Sequence, residues 1–134
     1  MSKDELRAEE KEMFEKVWAV VRRLRDPGGC PWDAEQTQQT LMKCLVDEVD
    51  EIKDALQKED WPNLKEEIGD TLWVLMFMAY IAEGDGHFTL RDVFEEVHAK
   101  MVRRHPHVFG DVDVKDTAEV LKNWEQIKAE EKSN

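Results

Sequence analysis

The 134-residue chain has few cysteines and little strand-like patterning. Its two cysteines, Cys30 and Cys44, form no CxxC pair, which argues against a disulfide framework or a zinc site and favours a reduced, cytoplasmic setting. Apolar residues rarely alternate with polar ones and instead recur three and four positions apart, as they do in helices. These shortages favour an all-α fold.

The sequence also lacks an apolar run long enough to cross a membrane. The longest run is TLWVLMFMAYIA, residues 71–82, whereas a spanning helix needs about 20 residues. We therefore expect no membrane partner. We expect this segment to form a helix that is buried on nearly all sides, either in the core or against a second subunit.

Positive charge is in short supply as well. Nineteen basic residues face 31 acidic ones, and the net charge is −12. No basic stripe is present that would suit a nucleic-acid backbone, so we expect no nucleic-acid partner. An acidic protein can still bind a polyphosphate when divalent cations invert the local field.

Length and composition suit one domain, 1–134, because 41% of the residues are hydrophobic and can form a core. Helical spacing predicts a bundle of about five helices, at about 4–25, 34–58, 62–83, 89–104 and 116–132. Between them, DPGGCPWD (26–33) and HPHVFGDVDV (105–114) read as irregular breaks. Asp60 and Asp116 are placed to cap the helices that follow them.

An acid interrupts the apolar stripe of the second predicted helix. Within LVDEVDEI (45–52), Glu48 lies between Leu45 and Ile52 on the face that these residues should turn to the core. A buried carboxylate is costly unless something pairs with it. Glu48 therefore suggests a site rather than a solvated surface.

Four acids become neighbours if the second and third helices form an antiparallel hairpin. Glu48 and Glu51 are three residues apart, and so are Glu67 and Asp70. Positions equidistant from residue 59, where the turn signal EDWP begins, should lie at equal height. This spacing predicts that Glu48 faces Asp70 and that Glu51 faces Glu67.

Converging carboxylates must either take up protons or bind cations. Oxygen ligands suit hard ions, so a site here would favour Mg²⁺, with Mn²⁺ as the alternative. Asp47 lies next to the four acids and could assist them. Asp50 and Asp54 should point toward solvent, as acids on helix surfaces ordinarily do.

Several motifs occur in an order that resembles the MazG family of nucleoside triphosphate pyrophosphohydrolases. They are LRDPGGCPWDAEQT, DEVDE, EEIGD and RRHPHVFGD, followed by the tail WEQIKAEE. The similarity runs over about 17–111, with a C-terminal helix at about 116–132. Many family members carry two such domains, and this chain resembles the N-terminal copy.

The resemblance implies an all-α NTP pyrophosphatase fold that works as a homodimer or homotetramer. It also implies cleavage of NTP or dNTP to nucleoside monophosphate and pyrophosphate by metal-activated water. Residues matching the family's EExxE and ExxD motifs would hold Mg²⁺: Glu48, Glu51, Glu67 and Asp70. One of these acids, or Asp47, would accept the proton from water. Asp47 stands where the family often has glutamate.

Residues that could bind the substrate lie mostly in the last two helices. Lys100 and Arg104 share one helix face, Arg103 lies beside them, and the resemblance places this stretch near the triphosphate. The alternative is a solvated, dipole-favoured helix end. Trp124 matches a tryptophan near the nucleotide, although it could equally be a packing anchor. Lys65 could reach a phosphate or remain a surface lysine.

Other features favour structural interpretations. Trp32, in CPWD, should pin its loop, and the histidines His105 and His107 should serve the loop around them. Glu95 and His98 form only half of a di-iron motif, which needs two such pairs. The alternatives to an enzyme are a regulatory module that binds nucleotide or metal and, less favoured, a di-iron or metal-storage bundle.

Overall fold

The structure, a computed structural model, describes all 134 residues, Met1–Asn134, and is all-α, which confirms the predicted fold class. It contains seven helices: α1 (Lys3–Arg25), α2 (Pro31–Glu35), α3 (Gln38–Gln57), α4 (Trp61–Gly84), α5 (Leu90–Arg103), α6 (Pro106–Phe109) and α7 (Thr117–Ser133). No helix has the length and apolar character needed to cross a membrane. The helices form two compact units, Met1–Leu90 and Arg91–Asn134.

The two additional helices lie in segments that we predicted to be irregular. Each of these short helices has a proline as its first residue, Pro31 in α2 and Pro106 in α6. Proline is tolerated in a first turn because the N–H it lacks would have no helical partner there. The second long helix consequently begins at Gln38 rather than at 34, and the Thr37 side chain caps it by accepting a hydrogen bond from the Thr40 backbone N–H.

The DPGG turn folds tightly over the end of α1. Gly28 has a φ of +86°, in the left-handed region that glycine adopts readily. The Cys30 N–H donates to the Leu24 carbonyl at 2.8 Å. A Cβ at Gly29 would overlap with the carbonyl oxygens of Arg23 and Leu24. The second glycine of the turn is therefore required by close backbone packing.

Helices α3 and α4 form the antiparallel hairpin that the sequence predicts. Gln38, at the start of α3, donates its Nε2 hydrogen to the carbonyl of Met78, near the end of α4, at 2.8 Å. The turn passes through Glu59, which has a φ of 52°. Asp60 then caps α4 by accepting from the Asn63 N–H at 3.2 Å, which confirms the predicted cap.

The core of the N-terminal unit lies where α1, α3 and α4 meet. Its buried residues are Val21, Leu41, Val74, Met76, Phe77 and Ile81. The predicted burial of 71–82 is correct for most of that segment, but Leu72 and Leu75 are exposed. The apolar stripe of α1 reaches the core only through its C-terminal half, because Leu6 and Met13 lie exposed.

The C-terminal unit consists of most of α5 together with α6 and α7. Asp116 caps α7 by accepting from the Glu119 N–H at 3.0 Å, as predicted. No residue of this unit is fully buried. Polar and aromatic contacts join its helices instead: Arg103, the last residue of α5, and Arg104 directly after it bind Glu131 of α7, and His105 packs edge-on against Trp124 at 5.1 Å between ring centroids.

Candidate metal centre and substrate-contact residues

Three of the predicted acids converge in the α3–α4 hairpin. One carboxylate oxygen from each of Glu48, Glu67 and Asp70 lies within 4.8 Å of the other two. Glu48 comes from α3, and the other two lie one helical turn apart on α4. The convergence follows from the antiparallel pairing and the three-residue spacing, since each brings acids onto the facing sides of the helices.

Burial distinguishes Glu67 from an ordinary surface acid. Glu67 is only 5% exposed, Glu48 is half-buried, and Asp70 is exposed. The three carboxylates therefore extend from the buried contact between α3 and α4 to the solvent-exposed surface. Of the three residues that could hold a cation, Asp70 is the one open to solvent.

Two oxygens of this group have no hydrogen-bond partner. Glu48 Oε2 and Glu67 Oε2 are both buried and unsatisfied. Ionised carboxylates only accept hydrogen bonds, so these two groups cannot satisfy each other while both are charged. Leaving buried acceptors unpaired is costly, and a proton or a cation would remove the cost.

The pKa shifts of Glu67 and Glu51 also indicate that these carboxylates need a proton or a cation. The close approach of the Glu48 carboxylate, desolvation and nearby negative charge raise the pKa of Glu67. The close approach of the Glu67 carboxyl group and the negative charge of that group raise the pKa of Glu51. Both pKa values are raised because neighbouring negative carboxylates repel each other. Protonation of one carboxylate, or neutralisation by a cation, would relieve that repulsion.

The remaining predicted acids lie around the group of three. Glu51 is exposed and is not one of the three, but it adjoins Glu67, and Asp70 and Asp47 also raise its pKa. Asp47 and Asp50 are exposed. Asp54 pairs with Lys58 at 2.9 Å on the surface.

This donor set fits a hard divalent cation. Oxygen atoms alone supply the ligands, and two of the glutamates have buried oxygens without a donor. Mg²⁺ is commonly bound through a few carboxylates, with water filling its other positions. Glu48, Glu67 and Asp70 could therefore hold the ion, and Glu51 is near enough to Glu67 to extend the set.

The predicted substrate contacts Arg103, Arg104 and Trp124 belong to the C-terminal unit and cluster there. The Arg104 guanidinium carbon lies 5.3 Å from the centroid of the Trp124 ring, a cation–π distance. Arg103 and Arg104 both bind the carboxylate of Glu131. Lys100 is half-buried one turn before Arg104. Trp124 thus packs against Arg104 and His105 within this unit.

Other singled-out side chains divide between structural and exposed positions. Lys65 is exposed and forms no ion pair. His105 packs between Trp124 and His107, and its Nδ1 lies 2.6 Å from the Met101 carbonyl, so it supports the loop as expected. Trp32 is 64% exposed, which means that the expected pinning of the loop through its side chain is wrong. Arg25 holds that loop, donating to the Asp33 and Gln36 carbonyls.

Sequence reasoning missed Glu131. It lies 27 residues from Arg104, in a tail rich in acids, so no local spacing distinguishes it from its neighbour Glu130. Only the packing of α7 against the end of α5 identifies the acid that reaches the arginines.

Comparison with known proteins places the chain in a family. A sequence model of the MazG nucleotide pyrophosphohydrolase domain matches residues 36–109, more than half of the chain. A nucleoside triphosphate pyrophosphohydrolase of Escherichia coli K12 is 42% identical over 121 residues, which cover 90% of this chain and 46% of that protein. The Thermotoga maritima MazG pyrophosphohydrolase/pyrophosphatase is 41% identical over 120 residues, with the same two shares.

A solved structure shares the fold. The crystal structure of a mazG-related protein from Thermotoga maritima matches with a TM-score of 0.74 and 31% identity, over 86% of this chain and 98% of that one. The chain spans about half the length of the two curated relatives above, and 24% of YabN, a Bacillus subtilis protein with 46% identity. By sequence and by fold, the chain belongs to the MazG nucleotide pyrophosphohydrolase domain family.

Proposed function

We propose that this protein hydrolyses nucleoside triphosphates, NTPs or dNTPs, to nucleoside monophosphates and pyrophosphate with the help of Mg²⁺. The observation that carries the proposal is the pair of buried, unsatisfied oxygens on Glu48 and Glu67 beside Asp70. Family membership and the names of the relatives support the same reaction class.

Glu48, Glu67 and Asp70 would hold the ion, with Glu51 as a further ligand and Mn²⁺ as a possible substitute. A bound divalent cation would neutralise phosphate charge and lower the pKa of a water molecule. The protein's own contribution is to hold the carboxylates in one place before the ion arrives. The packing of α3 against α4 does this, because Glu67 is buried and α4 is anchored in the core from Val74 onward.

The attacking water must lose a proton to a nearby group. Glu51 is suited to accept it, since its exposed carboxylate lies beside Glu67 and within the influence of Asp70. Asp47 is exposed one turn earlier on α3 and is the second candidate. No serine or cysteine nucleophile is needed, because phosphoryl transfer depends mainly on positioning and charge neutralisation.

The polyphosphate also needs cations from the protein. We assign its binding to Lys100, Arg103 and Arg104, with Trp124 holding the Arg104 guanidinium in place and contacting the nucleotide, and with Lys65 as a further phosphate contact. The support is the cation–π contact of Arg104 with Trp124 and the grouping of Lys100 and Arg103 in the last turn of α5 with Arg104 directly after it.

We further propose that two copies of the chain pair through one face of the α3–α4 hairpin to form a homodimer, or a homotetramer built from such dimers. Val49 is the residue after Glu48, and Ile68 is the residue after Glu67. One residue along an α-helix turns the side-chain direction by about 100° around the helix axis. Because the helices are antiparallel, equal rotations from the facing acids lead to the same side of the hairpin.

That side is apolar and exposed. Its residues are Met42, Val46, Val49 and Leu56 on α3 and Ile68, Leu72 and Leu75 on α4. We call this surface the apolar hairpin face. A contiguous exposed surface of this kind rarely stays in contact with water, and a second copy presents the same self-complementary patch.

Pyrophosphate release from a panel of NTPs and dNTPs, with and without Mg²⁺, tests the reaction. We expect release that requires the metal and falls at least about tenfold in Glu48→Ala and in Asp70→Ala. Asp50→Asn, an exposed acid on the same helix, is the matched control and should retain activity. Circular dichroism would show that each variant remains folded.

Unchanged release in both alanine variants would refute the site assignment. Binding of nucleotide and metal without release from any NTP would instead favour the regulatory module. Since the chain spans only part of its relatives, this second function is a real outcome of the panel.

A further inference from the structure

In the C-terminal unit, the carboxylate of Glu131 accepts hydrogen bonds from two arginines, Arg103 and Arg104. Arg104 donates to Glu131 Oε1 through Nε at 3.3 Å and through Nη2 at 2.7 Å. Arg103 donates to Glu131 Oε2 through Nε. The two oxygens of Glu131 thus link adjacent residues at the end of α5 to the last turns of α7.

The donors that Glu131 uses are all on one side of each guanidinium. An arginine side chain has five N–H donors, and the contacts with Glu131 take the Nε edge of both groups. The Nη1 hydrogens of Arg104 and the terminal hydrogens of Arg103 form no other hydrogen bond. Both side chains therefore keep an edge that can bind a second anion while Glu131 holds the first.

The guanidinium of Arg104 is held on a third side by an aromatic ring. It stacks at 5.3 Å over Trp124, and His105 meets the same tryptophan edge-on. The Arg104 side chain is 14% exposed and that of Glu131 is 20% exposed. An arginine held by a carboxylate and an aromatic face has lost most of its rotamer freedom before any ligand binds.

The charge of Glu131 persists over the whole working range of pH. Hydrogen bonds from Arg104 and Arg103 lower the pKa of Glu131 to about 2. The three groups together keep one net positive charge, and Lys100 one turn earlier adds another. The cluster is thus still attractive to a polyanion.

We propose that Glu131 is a positioning residue that aligns Arg103 and Arg104 to bind the phosphate chain of the substrate. This inference rests on the proposed function, which assigns those arginines to the phosphates. Glu131 itself contacts no substrate in this arrangement. Glu131 orders the two flexible arginine side chains before substrate binds, so that less conformational entropy is lost on binding.

The opposite role for Glu131 would be that of a competitor that occupies the arginines until substrate displaces it. The geometry argues against that role, because a competing carboxylate would take the terminal edge that a phosphate needs. The two roles predict opposite effects when the charge of Glu131 is removed, so one substitution separates them.

The test measures binding of inorganic tripolyphosphate by calorimetry, with a chelator present, to the full chain and to two variants. We expect Glu131→Gln to weaken binding about tenfold, since charge-assisted hydrogen bonds of this kind are worth about that much. Glu125→Gln, an exposed acid on the same helix without an ion pair, should bind as the wild type does. Glu131→Asp keeps the charge and should restore part of the affinity.

Kinetics provide the second readout. Glu131→Gln should raise KM for an NTP with little change in kcat, whereas a merely structural role would lower the melting temperature and leave KM unchanged. Equal or tighter tripolyphosphate binding by Glu131→Gln would overturn the inference, as would no binding by the wild type. Should Glu131→Gln not fold, Glu131→Asp decides, with weaker binding expected in a folded protein.

Failure of the proposed function gives a different pattern from failure of this inference. If the wild type releases no pyrophosphate from any NTP but binds tripolyphosphate tenfold more tightly than Glu131→Gln, the positioning role stands and the hydrolase does not. If NTPs are hydrolysed and Glu131→Gln has the wild-type KM, the hydrolase function stands and the positioning role of Glu131 does not.

Discussion

Glu48 and Glu67 face each other across one helical hairpin, and each has a buried carboxylate oxygen that no hydrogen-bond donor satisfies. Natural proteins leave few buried acceptors unpaired, and each exception calls for an explanation. One carboxylate oxygen of Asp70 also lies within 4.8 Å of an oxygen from each of these two glutamates. This relationship supports the proposed cation site and suggests several measurements.

Glu67→Gln should stabilise the metal-free protein and abolish its response to Mg²⁺. The substitution keeps the shape of the side chain but removes one of several repelling charges, so the melting temperature without metal should rise. Adding Mg²⁺ should raise the melting temperature of the wild type, because a ligand that binds only the folded state stabilises it. Calorimetric melts with chelator and with Mg²⁺ measure both effects.

Asp50→Asn is the matched control for that experiment, since Asp50 is an exposed acid of α3 outside the cluster. It should melt like the wild type under both conditions. A wild type whose melting temperature is the same with and without millimolar Mg²⁺ and Mn²⁺ would count against the metal site.

Gly29→Ala should destabilise the N-terminal unit by about 1–3 kcal/mol, the usual cost of overpacking. The added methyl group would meet the carbonyl oxygens of Arg23 and Leu24, which cannot move without opening the end of α1. Gly84→Ala is the control, because a Cβ there has open space. It should remain within about 1 kcal/mol of the wild type. Urea denaturation at fixed protein concentration compares the two, and equal midpoints would contradict the close approach.

Leu72→Glu should separate the proposed dimer without unfolding the subunit. Leu72 is 55% exposed in the single chain and lies in the apolar hairpin face, so a charge there costs little until a second copy covers it. Light scattering after size-exclusion chromatography should show half the wild-type mass or less. A monomeric wild type would refute the proposed pairing.

Phe77→Ala is the contrasting substitution on the same helix. Phe77 is fully buried, and its removal should cost about 3–5 kcal/mol through lost burial and an unfilled cavity. Its effect should appear in denaturation midpoints, whereas the effect of Leu72→Glu should appear in mass. A small effect of Phe77→Ala on stability would mean that the core is centred elsewhere.

The contribution of Glu131 to stability should depend on pH in one direction. Its pKa is lowered on folding, from an ordinary 4.5 to about 2, by hydrogen bonds from Arg104 and Arg103. A depressed carboxylate pKa stabilises the fold above pH 4.5, and this stabilisation is lost as pH falls toward 2. The melting temperatures of the wild type and Glu131→Gln should therefore differ near neutral pH and converge at about pH 2. A difference that stays constant would assign the effect to packing.

Much of the fold could be predicted because it depends on local rules. Helical periodicity identified the long helices, and Asp60 and Asp116 were recognisable as caps from their positions alone. The two short helices were missed, since prolines that break a helix interior also begin a first turn, and only the surrounding chain decides between these roles.

Side-chain exposure was less predictable. Leu6 and Met13 continue the apolar stripe of α1 but lie exposed, because the other helices of the unit cover only its C-terminal half. The position of Trp32 predicts that it anchors its loop, yet Arg25 holds that loop by donating to carbonyl oxygens while the indole is exposed. Periodicity shows which residues share a face, and it cannot show how far a partner helix extends along that face.

The sequence by itself determined the long helices, the caps and the hairpin register that brings Glu48, Glu67 and Asp70 together, because those depend on spacing along one or two neighbouring helices. Tertiary structure alone decided how deeply each acid is buried and that Glu131 rather than Glu130 binds the two arginines. These outcomes depend on contacts between helices distant in the chain, whose packing no local spacing encodes.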